Sequence, residues 1–447
     1  MERVLMEKLV EWKDNPDKKP LILRGVRQCG KTYLLQEFGK MYYEDVAYYK
    51  FDEDDTLEDL FKPNLTPSRI IKAMSLSRGK DIKPGETLII FDEIQFCGKA
   101  LTSLKYFCEE APEYHIVAAG SLLGIALYNK GEANQITSFP VGKVSFLTLY
   151  PMNYYEFLLA QNSLLAKYLR DNPFSDELFK TFASELKEKL LEFYVVGGMP
   201  KAVKTWLETG SIEQTETVQQ EILDGYEVDF VKHAPLKDFP KLSAIWRSIP
   251  SQLSRENRKF IFSHVKQSYR AKDLEDALEW LIRAGFVYKV ENITKPFLPI
   301  SAYANHTFFK LYLCDIGLLR KLSRLPSGVI FDKTATYKEF KGALAENYVL
   351  CELVNIYGDA PYYWTSDTNS GKAEVDFIIQ DGADIVPIEV KAGSAKHAQS
   401  ITQYCNRYQP RKSVLTSLDD RSNIVPLYLI WKLREWLNQF CIPNINV

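Results

Sequence analysis

Residues 20–32 read Pro-Leu-Ile-Leu-Arg-Gly-Val-Arg-Gln-Cys-Gly-Lys-Thr, an apolar run that breaks into a glycine-bounded loop closed by Lys31-Thr32. Gly25, Gly30, Lys31 and Thr32 stand in the spacing G-x-x-x-x-G-K-[ST], in which each residue type has a physical task. The two glycines admit backbone angles that a side chain would obstruct, so the amides of Val26, Arg27, Gln28, Cys29 and Gly30 can converge on one anion. A helical pattern with Leu34, Leu35 and Phe38 follows. Its first amides, through Tyr33, and its positive dipole end then face the same point. Lys31 adds a mobile positive charge, and the Thr32 hydroxyl is a hard oxygen ligand suited to magnesium. The reading is a triphosphate-binding loop from Gly25 to Tyr33, with Cys29 beside the phosphates.

A second stretch supports it. In Thr87–Gln95, strand-forming residues end abruptly in Asp92-Glu93. A parallel strand buried on both faces reads as such a continuous apolar run, and open α/β sheets place ligands at the carboxyl ends of their strands. Asp92 is expected to hold the Mg2+ shell and Glu93 to activate the attacking water, with Lys31 completing the catalytic set. His115–Ser121 is another buried-strand pattern, and Ser121 is the candidate sensor of the terminal phosphate. Asp45–Phe51 and Lys143–Leu149 supply further strands. This alternation of strands and helices predicts an α/β fold, a doubly wound parallel sheet with helices on both faces. No guanine-selecting N-K-x-D segment is present, so ATP is the expected nucleotide.

The 447 residues suggest several domains,. A formal charge of −2 leaves any polyanion binding to a local patch,. The seven cysteines are scattered, with no C-x-x-C pair, which predicts reduced thiols and a cytoplasmic location. No apolar run approaches the roughly 18–20 residues needed to span a bilayer, and no membrane partner is expected.

The segments GVRQCGKT, LIIFDEIQ, AAGS, FPVGKVSFLTLYPMNYYEFL and YVVGGMP together resemble the bacterial and archaeal family of predicted AAA-type ATPases that carry a carboxy-terminal domain of unassigned function. The resemblance spans nearly the whole chain and implies an ATPase core over residues 1–165 and a helical lid over 166–235. Relatives often carry Gly-Arg where this chain has Gly142-Lys143, so no arginine finger is assigned. Within the lid, Gly197-Gly198-Met199-Pro200 is a stop and a restart: paired glycines end one helix and proline opens the next.

Residues 236–330 are expected to form a winged-helix-like domain. Leu274, Leu278, Leu281 and Ile282 share a helical face that ends at Gly285 before a strand, and Arg270, Lys272 and Arg283 are candidate phosphate contacts. Acids along the same helix oppose that role. The Arg255–Arg270 stretch, with Arg258, Lys259 and Lys266 among Phe260, Phe262 and Tyr269, is the better polyanion candidate,.

Residues 331–447 are similar to the restriction-endonuclease-like PD-(D/E)XK fold. A helix carrying Glu346 precedes two strands that carry Asp376 and the Glu389-Val-Lys391 triplet, joined by a hairpin through Gly382. Strand alternation puts Glu389 and Lys391 on one side. The expected arrangement is Asp376 and Glu389 holding a second divalent ion, Lys391 activating water and Glu346 assisting. Two readings follow. In one, an ATPase cycle controls a module that binds DNA or another nucleic acid, or cleaves it. In the other, a nucleotide-gated scaffold with an inactive nuclease-like fold takes protein partners. Assembly into a homo-oligomer is compatible with both.

Overall fold

The structure, a computed structural model, describes residues 1–52, 56–120, 139–173, 176–235, 237–255, 258–332, 338–366, 373–393, 398–419 and 424–439. The chain forms two compact units, one of Met1–Pro151 with Arg283–Gly285, the other of Met152–Ile282 with Phe286–Val447.

The first unit is built on five strands: β1 (Leu21–Arg24), β2 (Asp45–Lys50), β3 (Thr87–Asp92), β4 (His115–Ala119) and β5 (Ser145–Thr148). They pair in the order β2-β3-β4-β1-β5, every pair parallel. All six residues of β3 are buried, which is why its sequence is apolar without alternation. Ile89 and Phe91 pack with Ile70, Met74, Leu101 and Leu104 in one cluster. The Lys31–Tyr42 helix buries Leu34, Leu35 and Phe38. An opening helix, Leu5–Asp14, buries Leu9 and Trp12 as its spacing predicts.

The second unit begins with helices Tyr154–Gln161, Ser163–Asp171, Asp176–Val196, Pro200–Thr209 and Ile212–His233. Gly197 lies at φ +74° and Pro200 opens the next helix, the stop and restart expected from the sequence. Phe239–Leu253, Phe262–Val265 and Ala271–Arg283 are also helical, the last burying Leu274, Leu278 and Leu281. There follow β6 (Val287–Ile293), β7 (Ala304–Leu313), β8 (Tyr362–Thr365), β9 (Glu374–Asp381), β10 (Asp384–Val390), β11 (Val414–Ser417) and β12 (Val425–Pro426). All seven form one sheet ordered β12-β11-β10-β9-β8-β6-β7. A boundary at 330/331 therefore runs through a continuous sheet: the hairpin-like pair β6 and β7 extends it through the parallel pairing of β6 with β8. β9 and β10 form the expected hairpin, with Asp381 opposite Asp384 and Gly382 at φ +62°.

Candidate active site

At the carboxyl end of β1 the chain turns sharply. Gly25 lies at φ +152° and Gly30 at φ +96°, and a Cβ at Gly25 would run into the Leu149 carbonyl. The loop is held from behind by Arg3, whose guanidinium donates to the Cys29 carbonyl at 2.9 Å and to the Tyr150 carbonyl at 2.6 Å. Nothing in the sequence pointed to Arg3, since the contact joins positions 26 and 147 residues apart. The Cys29 thiol is fully buried and donates to the Leu149 carbonyl at 3.4 Å. Its side chain therefore packs behind the loop, against the Leu149 backbone.

Lys31 is buried, and its ammonium donates to the carbonyls of Gly25 at 2.9 Å and Val26 at 3.0 Å. Carbonyls are weak partners for a cation compared with a carboxylate, so the charge stays available to an incoming phosphate. Thr32 lies in the first turn of its helix, and its hydroxyl donates to Asp92 Oδ2 at 2.7 Å. Asp92, 2% exposed at the end of β3, also accepts the Tyr48 hydroxyl on Oδ2 at 2.7 Å and the Glu93 amide on Oδ1 at 3.0 Å. Glu93 sits in the left-handed region at φ +50° and accepts from Gln95 Nε2 at 2.5 Å. The loop and the Asp92-Glu93 pair thus meet through Thr32, although β4 lies between β1 and β3. Val26, Arg27, Gln28 and Tyr33 lie in or next to the same turn, with Gln28 at φ +65°. Ser121 lies outside the described residues.

The donor set suits magnesium: an alcohol and a carboxylate, both hard oxygens, 2.7 Å apart at the mouth of an anion-binding turn,. Thr32 and Asp92 would hold it. A bound ion there would supply positive charge to offset that of the phosphates.

The acids of the second unit are organised differently. Glu346, on the Lys338–Tyr357 helix, is 2% exposed, pairs directly with Arg258 and accepts the Tyr312 hydroxyl at 2.8 Å. Arg258 also lies 3.9 Å from Asp376, which accepts the Val390 amide at 2.8 Å. Lys310, fully buried on β7, pairs with Glu374 at 2.5 Å and lies 3.9 Å from Glu346. Burial alone would lower its pKa, but Glu374 and its neighbours hold it above the ordinary lysine value. Lys391 donates to Glu389 at 2.6 Å, which places them on one side as strand alternation requires. Burial, and then the charge of Asp376, push Glu389 up to about 8.

The acids expected to hold a second divalent ion are thus paired within the fold. Arg258 and Lys310 supply the positive charge beside these acids, and among the described residues no group of three His, Cys, Asp or Glu is arranged to hold a metal ion. Arg258 is engaged by its contact with Glu346 inside the fold. Phe260 and Phe262 are likewise occupied, packing on Phe309 and on each other. Lys310 carried one legible signal, a lone lysine inside the apolar run of β7; Arg258 carried none.

The two segments most particular to the resemblance also meet. The Gly198 carbonyl accepts the Met152 amide at 2.7 Å, and a Cβ at Gly198 would strike the Met152 backbone. Asp315 accepts the Gly198 amide at 2.5 Å and the Leu318 amide at 2.8 Å. Glu352 accepts the Tyr154 amide at 2.7 Å. Met152 and Gly198 thus tie the two segments together within the second unit.

An all-parallel sheet with a phosphate-type loop after its first strand and a paired acid at the end of β3 defines a P-loop ATPase. The segment carrying it, residues 17–158, matches the family described as "AAA domain". Residues 187–328 and 341–429 match two domains of unknown function, DUF8612 and DUF4143. No curated protein matches the chain. Among solved structures, the Walker-type ATPase PABY2304 of Pyrococcus abyssi is 16% identical, covering 71% of this chain and 94% of its own at a TM-score of 0.45. ORC1 of Aeropyrum pernix in complex with DNA is 14% identical, covering 73% and 92% at 0.27. AMPPCP-bound DnaA from Aquifex aeolicus is 16% identical, covering 63% and 86% at 0.26. Scores this low leave the site's chemistry to its own residues. Among the described residues no helix is long and apolar enough to cross a membrane.

Proposed function

We propose that the chain is a magnesium-dependent ATPase whose nucleotide cycle switches its second unit, with Lys31 binding the terminal phosphates, Thr32 and Asp92 holding the metal, and Glu93 drawing a proton from the attacking water. The observation that carries this reading is the 2.7 Å contact of Thr32 with Asp92 beside a lysine bonded only to loop carbonyls among the described residues. Residues 166–235 act as a lid on the nucleotide, and Ser121 senses the terminal phosphate. Residues 236–330 are a winged-helix-like element, and those from 331 onward have a restriction-endonuclease-like fold.

Within this proposal the charge network favours the scaffold over the nuclease. A hydrolytic metal site needs open ligand positions, whereas Glu346 is taken by Arg258 and Tyr312. The second unit then serves as a docking module for DNA or a protein, within a homo-oligomer or alone.

ATP turnover and ATP binding, measured for wild type and Glu93→Gln, test the first part. Glu93→Gln retains binding and loses about a hundredfold or more in turnover, the usual weight of a general base. Undiminished turnover removes Glu93 from the role. Incubation with linear, circular and single-stranded DNA and with RNA, in Mg2+ or Mn2+, tests the second. Cleavage by wild type that Asp376→Ala and Lys391→Ala both abolish would restore the nuclease.

A further inference from the structure

We propose that Tyr48 is a positioning residue of the ATPase site, holding the Asp92 carboxylate in the orientation that metal binding and Glu93 both require. Tyr48 lies outside the loop and outside the Asp92-Glu93 pair, on β2. β2 runs beside β3 in parallel register, Tyr48 against Ile90 and Lys50 against Asp92, and the Phe51 amide donates to the Asp92 carbonyl at 3.1 Å. The backbones of the two strand ends are therefore fixed relative to each other, and the phenol reaches the carboxylate from a rigid platform.

Asp92 Oδ2 receives two hydroxyls, from Thr32 and from Tyr48, each at 2.7 Å, while Oδ1 receives the Glu93 amide at 3.0 Å. The two hydroxyl donors are not equivalent. Thr32 lies in the first turn of the loop helix, and its oxygen would serve a metal through a lone pair as well as donating to Asp92. Tyr48 is not among the groups that would hold the metal, and a phenol is a stronger donor than an alcohol because its proton is more acidic. Its contact with Oδ2 serves only to orient the carboxylate.

Without that contact the carboxylate can rotate about its Cβ–Cγ bond, and rotation exchanges Oδ1 with Oδ2. The exchange loosens the Glu93 amide contact, and with it a residue held at φ +50°. Metal affinity and the placement of Glu93 therefore depend on one phenolic proton. A carboxylate only 2% exposed has little water with which to replace it,.

The proposal rests on the magnesium reading of Thr32 and Asp92, and its test separates the two. ATP turnover and binding of a fluorescent ATP analogue are titrated with Mg2+ for full-length wild type, Tyr48→Phe and Tyr48→His. In Tyr48→Phe the Mg2+ concentration for half-maximal turnover rises about tenfold, the value of one charge-assisted hydrogen bond. The Mg2+-dependent gain in analogue affinity shrinks by a similar factor, and affinity measured in EDTA is unchanged. Tyr48→His, which keeps a ring donor, recovers part of the loss. A packing role would move the EDTA affinity as well and would leave His no better than Phe; either result overturns the proposal. Wild-type turnover indifferent to Mg2+ removes the magnesium reading itself. A Mg2+-dependent wild type matched by Tyr48→Phe removes only the role of Tyr48.

Discussion

Asp92 and Glu346 are both 2% exposed, yet their neighbours treat them in opposite ways. Among the described residues Asp92 receives neutral donors, two hydroxyls and an amide. Glu346 receives a guanidinium, with a buried ammonium 3.9 Å away. Neutral donors orient a carboxylate while leaving its charge to act on something not yet present. A cation from the same chain satisfies the charge and leaves a ligand little to gain. Acidic clusters of similar composition can therefore be a working site in one unit and an internal tie in the other, and the partner's charge decides which.

The largest expected effect probes the first side of that contrast. Lys31→Ala removes a loop cation whose hydrogen bonds among the described residues go to the Gly25 and Val26 carbonyls. ATP turnover should fall about a thousandfold or more, in line with loss of a charged group aimed at transferring phosphate and equal to about 4 kcal/mol. Melting temperature without nucleotide should change little, because the carbonyl contacts are replaceable by water, and stabilisation by added ATP should vanish. A variant that melts early without nucleotide and still gains from ATP would show that Lys31 is structural, which breaks the comparison.

On the other side, Arg258→Ala leaves Glu346 buried without its guanidinium. Removal of one partner from a buried pair costs about 3–5 kcal/mol, and about 3 kcal/mol is expected here because Arg258 is only partly covered and Lys310 and Tyr312 remain. Urea denaturation followed by second-unit tryptophans such as Trp246 and Trp364 measures it. Calorimetric titration with Mn2+ sharpens the contrast. Wild type should show no heat attributable to the cluster. Binding lost in Asp376→Ala would mean that a metal competes successfully with Arg258 and that the tie is also a site.

How much of this was legible follows from how far apart the interacting residues lie. The loop, the strand before it and the helix after it occupy one short segment, and their geometry is imposed by Gly25, Gly30 and apolar periodicity. The β9–β10 hairpin and the Glu389–Lys391 pair were legible for the same reason. Arg3, Tyr48, Arg258 and Lys310 were not assigned their contacts, since each reaches a partner through tertiary packing that no local pattern encodes. The shared sheet of β6 and β7 with β8–β12 was missed likewise: an intervening helix, Lys338–Tyr357, suggested a new domain where the chain was returning to an existing sheet. Asp315 did carry a signal, an acid directly before a helix. Its second contact, with Gly198, depends on a chain separation of 117 residues.

The smallest expected effect concerns an acid that has neither treatment in full. Glu352 is buried beside Tyr154, accepts one amide on Oε1, and finds no hydrogen-bond partner for Oε2 among the described residues. Burial, offset in part by the Tyr154 amide and reinforced by Glu156, pushes it up to about 8 from an ordinary 4.5. Between those values the folded chain retains a proton that the unfolded chain has released, so the folded state binds more protons and stability falls as pH rises from about 4.5 to about 8,. Glu352→Gln keeps an oxygen for the Tyr154 amide and cannot ionise. It should match wild type near pH 4.5 and exceed it by about 2 kcal/mol at pH 8, a figure set below the full shift because buried charges relax,. Urea midpoints at the two pH values check this. An equal difference at both would mean that the proton is absent, and that Glu352 is held charged by its surroundings.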